Sequence, residues 1–467
     1  MRWSDAARST IVALAAGSLA SCAAPVFNTA TNQPLAPATP PDMGAPTDLM
    51  RESSIVLAFS GGGLRAAAFA HGVLTALESV KTADGDLLDD VALINSVSGS
   101  SLAAAHYGVY GREGLARFRD EVLLPGFESG MRLSLFSPGN LMRMAGGGLN
   151  TRENFGDTLD RKVFHGATFA DIFRRQRPEI RINATDLYHR VGFPFIPQLF
   201  SFLCSDLSRY SVADAVAASM AVPVLFAPVV VRTYPDSCAP LPAELASIRA
   251  RPEGSRQLNA IARALAAYRD PARTRYIKLA DGGLTDNFAV STMTLSRVAF
   301  GTPYAPMTER DAVRVRRLLL IVVDASQGPG GDWTLQEAGP SGIDLALSAT
   351  DAAVDTAARH AADAFGGMIR EWQEAVIAYR CGLAPADVAR LGGPAQWNCA
   401  DVKFSLAYLS VDELASPARK RIEAIPTRLT LEAGQVDAAV EGAREGALTL
   451  PRLRTYLQER VRPGAPP

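Results

Sequence analysis

The sequence carries no surplus of charge of either sign: 47 Lys and Arg stand against 48 Asp and Glu, a net charge of −1 over 467 residues. The basic footprint of a nucleic-acid binder is therefore missing, and the small cluster of Arg314, Arg316 and Arg317 reads as a solvated face. Long apolar runs are also absent. The stretch Ile11–Leu19 falls well short of the ~20 residues a membrane-spanning helix needs. Histidine is scarce, with five residues: His71, His106, His165, His189 and His360. None sits in a glycine-flanked loop after a strand, where the histidine of a Ser-His-Asp triad belongs, and His360 falls in a long helical run. The cysteines lack zinc-ligand spacing, and the acidic run Asp84–Asp90 lacks the spacing of a calcium loop. No metal and no cofactor is expected. There is no internal repeat. Hydrophobic residues make up 48% of the chain, enough for a sizeable core and too many for a disordered protein.

The N-terminus reads as a targeting segment. Arg2 and Arg8 form a short basic region, Asp5 being a departure from it, and the apolar stretch ends in Leu19-Ala20-Ser21-Cys22. That tetrapeptide resembles the lipobox of bacterial lipoproteins. The resemblance implies a signal peptide over residues 1–21 and acylation of Cys22. With the non-acidic Ala23 next, it also implies a lipid-anchored place in the cell envelope, at the outer membrane of a Gram-negative bacterium. The alternative is an ordinary secretory signal that happens to contain a cysteine; the position of Cys22 at the cleavage point favours the lipoprotein. Residues 22–51 are rich in Pro, Ala, Thr and Asn and read as a flexible tether. Four cysteines remain, and an even number in an exported chain points to two disulfides. Of three connectivities the sequence-local one, Cys204 with Cys238 and Cys381 with Cys399, is expected, against the alternative of four free thiols.

From there the pattern is strand, tight turn, helix, repeated. Ser54–Phe59 is an apolar strand running into Ser60-Gly61-Gly62-Gly63 and an alanine-rich helix. Val91–Val97 is a second strand, running into Ser98-Gly99-Ser100 and a helix of small residues. Two such units in succession are the grammar of an α/β sheet with crossover helices. Further strands are expected over Glu179–Leu187, Tyr276–Leu279, Arg317–Asp324 and Phe404–Leu409, and helices over Ala213–Met220, Ile343–Phe365, Asp437–Arg444 and Leu453–Val461. This gives an α/β domain over residues 52–330 and a mostly helical extension over 331–467 packed on the same domain. Two less regular insertions, Gly126–Thr151 and Ala239–Arg273, read as surface loops and a helical hairpin, with a lid or a membrane-contacting edge as the alternative. The first carries Met131, Leu133, Leu135, Phe136, Leu141 and Met142, which mildly favours a lipid substrate.

Ester cleavage by a serine needs an exposed Oγ, a base for its proton and donors for the developing oxyanion. At a strand-to-helix elbow the residues two before and two after the nucleophile must be small. Among Ser96, Ser98, Ser100 and Ser101, the choice of Ser100 would put Leu102 at such a position and Ser96 would put Ile94 there. Ser98 is flanked by Ser96 and Ser100, so sterics select Ser98; read alone, the segment would equally be a serine-rich helix cap. Gly61, Gly62 and Gly63 fall at a helix N-terminus, where backbone N–H groups converge and the helix dipole favours negative charge. A nucleotide-phosphate cradle is disfavoured, since no Gly-Lys-Ser/Thr follows and the spacing is not Gly-x-Gly-x-x-Gly. Arg65, just inside the turn, either holds this loop or meets a lipid phosphate. Asp281 follows a short strand and precedes Gly282-Gly283. A carboxylate there can serve as the base if it is partly desolvated, or it can be an Asx-turn residue.

Taken together, Ser60-Gly61-Gly62-Gly63-Leu64-Arg65, Ser96-Val97-Ser98-Gly99-Ser100, Asn183-Ala184-Thr185-Asp186, Ala217-Ala218-Ser219-Met220-Ala221-Val222-Pro223 and Asp281-Gly282-Gly283-Leu284-Thr285-Asp286-Asn287 resemble the patatin-like phospholipases. The resemblance spans roughly Ser54–Asp324 in family order. It implies a three-layer α/β/α fold with a mainly parallel central sheet, and acyl-ester hydrolysis of phospholipids or other acyl lipids without metal. It also implies a dyad of Ser98 as nucleophile and Asp281 as base, with Gly61, Gly62 and Gly63 as the oxyanion hole supported by Arg65. Ser96 and Ser100 in place of glycines depart from the family pattern and bear on substrate preference. Three other readings share these residues: a transacylase, an esterase of small soluble esters, and a non-catalytic envelope module.

Overall fold

A computed structural model describes residues 25–36, 48–134, 137–238, 255–326, 328, 333–340, 342–394 and 396–460. The expected signal peptide, Cys22, and two of the apolar insertion residues, Leu135 and Phe136, lie outside the described residues.

The centre is one eight-stranded sheet. Its strands are β1 (Ser53–Phe59), β2 (Val91–Val97), β3 (Glu179–Asp186), β4 (Val191–Pro194), β5 (Val229–Arg232), β6 (Tyr276–Asp281), β7 (Arg317–Asp324) and β8 (Lys403–Ser410). The order is β8-β7-β1-β2-β3-β6-β5, with β4 paired to β3 off this path. The run from β8 to β3 is parallel, while β3, β6, β5 and β4 pair antiparallel. Every residue of β1 and β2 is buried, which is why both read as continuous apolar runs rather than alternating ones.

Alternation reappears when each face is followed separately. Ile55, Leu57 and Phe59 of β1, with Leu319, Ile321 and Val323 of β7, enter one core; Val56, Ala58, Leu318, Leu320 and Val322 enter another. The period of two in a strand sends neighbours to opposite faces, so one sheet builds two cores. The first is covered by helices α1 (Gly63–Ser79), α2 (Gly99–Phe118), α4 (Val212–Ser219) and α7 (Ala433–Thr449), and the second chiefly by the 40-residue α6 (Gly342–Cys381). The short surface helix α3 (Pro138–Gly146) and helix α5 (Arg256–Tyr268) occupy the two insertions. This is the three-layer α/β/α fold with a mostly parallel sheet.

The C-terminal part is built into this body. It supplies the edge strand β8 in register with β7 and helix α7, which presses on α1 so closely that a Cβ on Gly72 would lie 2.2 Å from the Val440 carbonyl oxygen. No described helix is long and apolar enough to cross a membrane, and no described cluster of His, Cys, Asp and Glu could hold a metal. Cys204 lies beside Cys238 and Cys381 beside Cys399, with Cα separations of 5.2 and 4.9 Å, within the span of a disulfide.

The expected flexible tether over residues 22–51 is corrected for its described parts. Asn28 donates to the carbonyls of Ala227 (3.0 Å) and Pro228 (2.9 Å) and accepts from the Arg152 N–H (2.7 Å). Asn32 is bonded to both backbone groups of Arg232 (2.8 Å each) and to Ser205, and Thr31 donates to the buried Asp214 (2.7 Å). Further along, the N–H groups of Leu49 and Met50 are tied to Asp311. Side-chain amides can satisfy backbone groups about 200 residues away, and composition alone does not reveal that.

Candidate active site

The elbow after β2 is a strained turn. Ser98 has φ 54° and ψ −131°, a conformation that costs a non-glycine residue about 1–3 kcal/mol and persists only where the surroundings enforce it. Those surroundings are specific. A Cβ on Gly99 would sit 1.8 Å from the Gly63 carbonyl oxygen, so the residue after the serine must be glycine. Ser100 Oγ donates to the carbonyls of Val97 (2.8 Å) and Phe59 (3.1 Å), and Ser96 Oγ to the carbonyl of Arg181 (3.0 Å). Ser96 and Ser100, on either side of Ser98, thus tie the elbow to the neighbouring strands β1 and β3. The Ser98 N–H donates to Ser219 Oγ (2.9 Å), and that hydroxyl donates onward to the Asn183 carbonyl (2.6 Å).

Ser98 Oγ donates to Asp281 Oδ2 at 2.7 Å. Asp281 is the last residue of β6, and the antiparallel register with β3 sets it opposite Ala184, one position beyond the end of β2. Its other oxygen, Oδ1, accepts the Gly283 N–H at 2.8 Å. The carboxylate is nearly closed to solvent at 8% exposure. Burial pushes its pKa up from 3.8 to about 6, against the opposing pull of the Ser98 and Gly283 hydrogen bonds. A group titrating there is mostly ionised at neutral pH yet basic enough to take a proton in a transition state. Beside it, a Cβ on Gly282 would lie 2.3 Å from the Asn183 carbonyl, so the sharp exit from β6 also demands glycine.

The glycine loop lies against the same serine. A Cβ on Gly61 would approach Ser98 Cβ to 3.2 Å and Asn287 Oδ1 to 2.5 Å. Gly62 and Gly63 have φ 140° and 61°, the region glycine alone enters freely. The Gly61 N–H already donates to Asn287, to its backbone oxygen (3.3 Å) and its Oδ1 (3.2 Å). The N–H groups of Gly62 and Gly63 have no recorded partner among the described residues, and they begin helix α1. The oxyanion set expected from sequence therefore divides: Gly62 and Gly63 carry the unpartnered donors, and Gly61 supplies close approach.

Arg65 is 1% exposed, with Nε donating to the Ala325 carbonyl (3.1 Å) and one terminal nitrogen to the Ile425 carbonyl (2.8 Å). Its guanidinium is turned into the protein, where it ties the turn after β7 to Ile425, rather than outward to where a lipid phosphate would lie. Burial lowers its pKa to about 10, the charge of Asp324 opposing. No histidine contacts the pair. His71 and His106 are buried against Phe118, with pKa values pulled down by burial to about 4 and 3, and His189 bonds Asp186 (2.6 Å). Two surface clefts, of about 430 and 450 Å³, lie away from Ser98. Ser219 and Asn287 do not stand out in the sequence as site residues, although both fall inside the segments that carry the resemblance; short polar side chains next to turns look like caps.

The model of the patatin-like phospholipases matches residues 57–293, just over half of the 467-residue chain. The chain belongs to the patatin-like phospholipase family. The matched segment holds all the site residues just described except those around Arg65, namely Asp324, Ala325 and Ile425. No curated protein matches this patatin-like chain. Among solved structures it is similar to human GIVD cytosolic phospholipase A2, with TM-score 0.40 and 14% identity over 88% of this chain and 63% of that one. It is also similar to the same human enzyme in complex with methyl gamma-linolenyl fluorophosphonate and terbium chloride, with TM-score 0.38 and 15% identity over 88% and 60%. The chain spans less than two thirds of those structures, and at such TM-scores the likeness decides nothing about the site.

Proposed function

We propose that this protein is a patatin-like lipid acyl hydrolase that cleaves carboxylic esters of phospholipids or related acyl lipids, with Ser98 as nucleophile and Asp281 as base. The observation that carries this is the 2.7 Å hydrogen bond from Ser98 Oγ to a buried carboxylate at the mouth of a glycine loop. Ser98 Oγ attacks the ester carbonyl carbon as its proton passes to Asp281 Oδ2. The carbonyl oxygen becomes an oxyanion facing the N–H groups of Gly62 and Gly63, where the N-terminus of α1 adds its dipole. The tetrahedral intermediate collapses, and the leaving alcohol oxygen takes the proton back from Asp281. Water then attacks the acyl-serine as Asp281 takes its proton; the second tetrahedral intermediate collapses, the bond to Ser98 Oγ breaks, Oγ takes the proton back from Asp281, and the carboxylic acid is released. The Gly283 N–H fixes the carboxylate so that Oδ2 stays aimed at Ser98.

The same proposal places the protein on a membrane of the cell envelope through an acylated Cys22, with disulfides Cys204–Cys238 and Cys381–Cys399 formed there. A lipid anchor raises the local concentration of a lipid substrate. The test is acyl release from mixed phospholipids and simple esters in excess EDTA, comparing wild type with Ser98→Ala and Asp281→Asn. Hydrolysis that persists in EDTA and is lost in both variants supports the dyad. Hydrolysis that survives Ser98→Ala rejects it, and a folded wild type active only when an acyl acceptor is added is a transacylase.

A further inference from the structure

The N-terminal segment departs most from what its composition announces, and it ends in a telling place. Residues 25–36 run along the body of the protein. They begin at helix α3, where the Val26 N–H donates to the Gly146 carbonyl (2.8 Å). None of the nine residues of α3 is buried, and Leu141 and Met142 are 50% and 40% exposed. Beside them Phe27 is 63% exposed. A cleft of about 430 Å³ joins Phe27 to Met142 and carries two arginines, Arg132 and Arg143, against one carboxylate, Glu153. Neither arginine makes an ion pair with another described residue. Contiguous exposed apolar side chains rimmed by cationic ones mark an interaction surface.

This surface is linked to the Ser98 site through backbone hydrogen bonds. The chain leaves α3 into Leu149 and Asn150, whose N–H groups donate to the carbonyls of Val224 and Leu225 (3.1 Å each). The same loop accepts the Asp281 N–H at the Ala221 carbonyl (2.9 Å) and exposes Val222 and Val224.

We infer that this face, from Phe27 and α3 to Val222 and Val224, is seated on the lipid bilayer that holds the acylated Cys22, so that the anchor orients the Ser98 site toward the membrane. The inference rests on the lipoprotein reading of Cys22. The chain itself argues for the bilayer as occupant. Only Ala23 and Ala24 separate Cys22 from Pro25, three residue steps with a reach of about 10 Å at full extension. A free coil of about thirty residues would instead average roughly 30 Å and sample any orientation. With Asn28, Thr31 and Asn32 bonded down, an anchored Cys22 cannot swing away from α3. The arginines on the cleft match the anionic component of such a surface.

The test uses the full acylated protein in vesicles of phosphatidylethanolamine and phosphatidylglycerol, with hydrogen–deuterium exchange as readout and mass spectrometry of the N-terminal peptide to establish acylation. Peptides covering Leu133–Gly146 and Val222–Leu225 should gain protection on the vesicles relative to a soluble Cys22→Ser protein. Peptides around Phe300–Arg310, near the opposite ends of the strands, should not. A second arm inserts a Gly/Ser linker of about 20 residues between Ala24 and Pro25, leaving the strap's own bonds in place. It should keep the protein on the membrane, lower hydrolysis of vesicle phospholipid roughly three- to tenfold through the fall in effective concentration, and leave cleavage of a soluble ester unchanged. Acylated protein without protection at α3 overturns this inference alone, as does a linker that changes nothing. An unacylated Cys22 overturns it together with the lipoprotein reading, while the Ser98 assignment stands untouched. Protection of α3 in envelope fractions but not in pure lipid assigns the face to a protein partner and overturns the inference as well.

Discussion

The end of β6 and the turn that follows it hold two buried carboxylates five residues apart, and the same physics acts on both. Asp281 and Asp286 are 8% and 9% exposed, and burial raises each pKa to about 6. What differs is what faces them. Asp286 spends its oxygens on the start of the following helix, on the N–H groups of Ser291 (2.7 Å) and Val290 (3.3 Å) and on the Ser291 hydroxyl, a serine with ordinary backbone geometry away from the glycine loop. Asp281 gives one oxygen to a backbone N–H and the other to the hydroxyl of a serine held at positive φ. A raised pKa therefore marks burial. The partner decides whether that burial serves a helix start or a proton transfer.

The largest expected effects break the two apart. On the proposed dyad, Ser98→Ala and Asp281→Asn should each lower kcat/KM by about 10³–10⁴ or more, since a nucleophile and its base act as a unit. Asp286→Ala should cost about 1–3 kcal/mol of stability by leaving two buried N–H groups without partners, while activity per folded molecule stays within about tenfold. Ester hydrolysis assays beside thermal melts of the three variants check this. Comparable activity losses at Asp281 and Asp286 would show that the turn, rather than one carboxylate, is what the reaction needs.

The pH profile sharpens the same contrast. If Asp281 must be ionised to accept the Ser98 proton, kcat/KM rises about tenfold per unit at acid pH and levels off above about 6. Asp286→Ala should leave that midpoint in place. A midpoint that moves with Asp286 assigns the titration to the wrong carboxylate.

Stability should run opposite to activity at Asp281. Its pKa is raised on folding, from 3.8 to about 6, so between those values the folded chain binds more protons than the unfolded one, and stability falls as pH rises through the window. Asp281→Asn removes a buried charge, keeps an acceptor for the Gly283 N–H and offers a donor to Ser98 Oγ. The variant should be more stable than wild type by about 1–3 kcal/mol at pH 7, with the gap closing toward pH 4. Denaturant melts at the two pH values read this directly; a gap that does not depend on pH would place its origin elsewhere.

How much of this could be read from the chain follows from how local each feature is. The strand β2 and the elbow at Ser98 were legible to the residue, because a fully buried strand followed by small residues is written in consecutive positions. The same holds for β7. Asp281 was legible as a turn residue, but β6 was expected to stop at Leu279; its last two residues pair with β3 across almost a hundred positions, and short antiparallel pairing leaves little periodicity to find. For the same reason β4 and β5 went unseen. The division of labour within Gly61, Gly62 and Gly63 was illegible, since it depends on Asn287 filling one N–H and not the others. So was the strap at Asn28 and Asn32, whose partners are distant backbone groups.

Asn287 offers the smallest test and the most discriminating one, because it stands next to Asp286 and yet serves the Ser98 side. Its Oδ1 accepts the Gly61 N–H (3.2 Å) and its Nδ2 donates to Ser326 Oγ (3.0 Å), which ties the carboxylate turn to the glycine loop. The Asn287 backbone oxygen accepts the same Gly61 N–H, so the side chain is a support with a partial substitute. Asn287→Ala should therefore lower kcat about three- to tenfold, well below the 10²–10³ expected for losing an oxyanion donor outright. KM and the pH midpoint should change little, because neither the Asp281 carboxylate nor its burial is altered. A loss nearer a thousandfold would mean that the glycine loop collapses without this bond and that the Gly62 and Gly63 donors exist only while Asn287 holds the loop open. A shifted pH midpoint would mean instead that Asn287 acts on the Asp281 carboxylate, joining the two ends of the turn that the Asp286 variant is expected to separate.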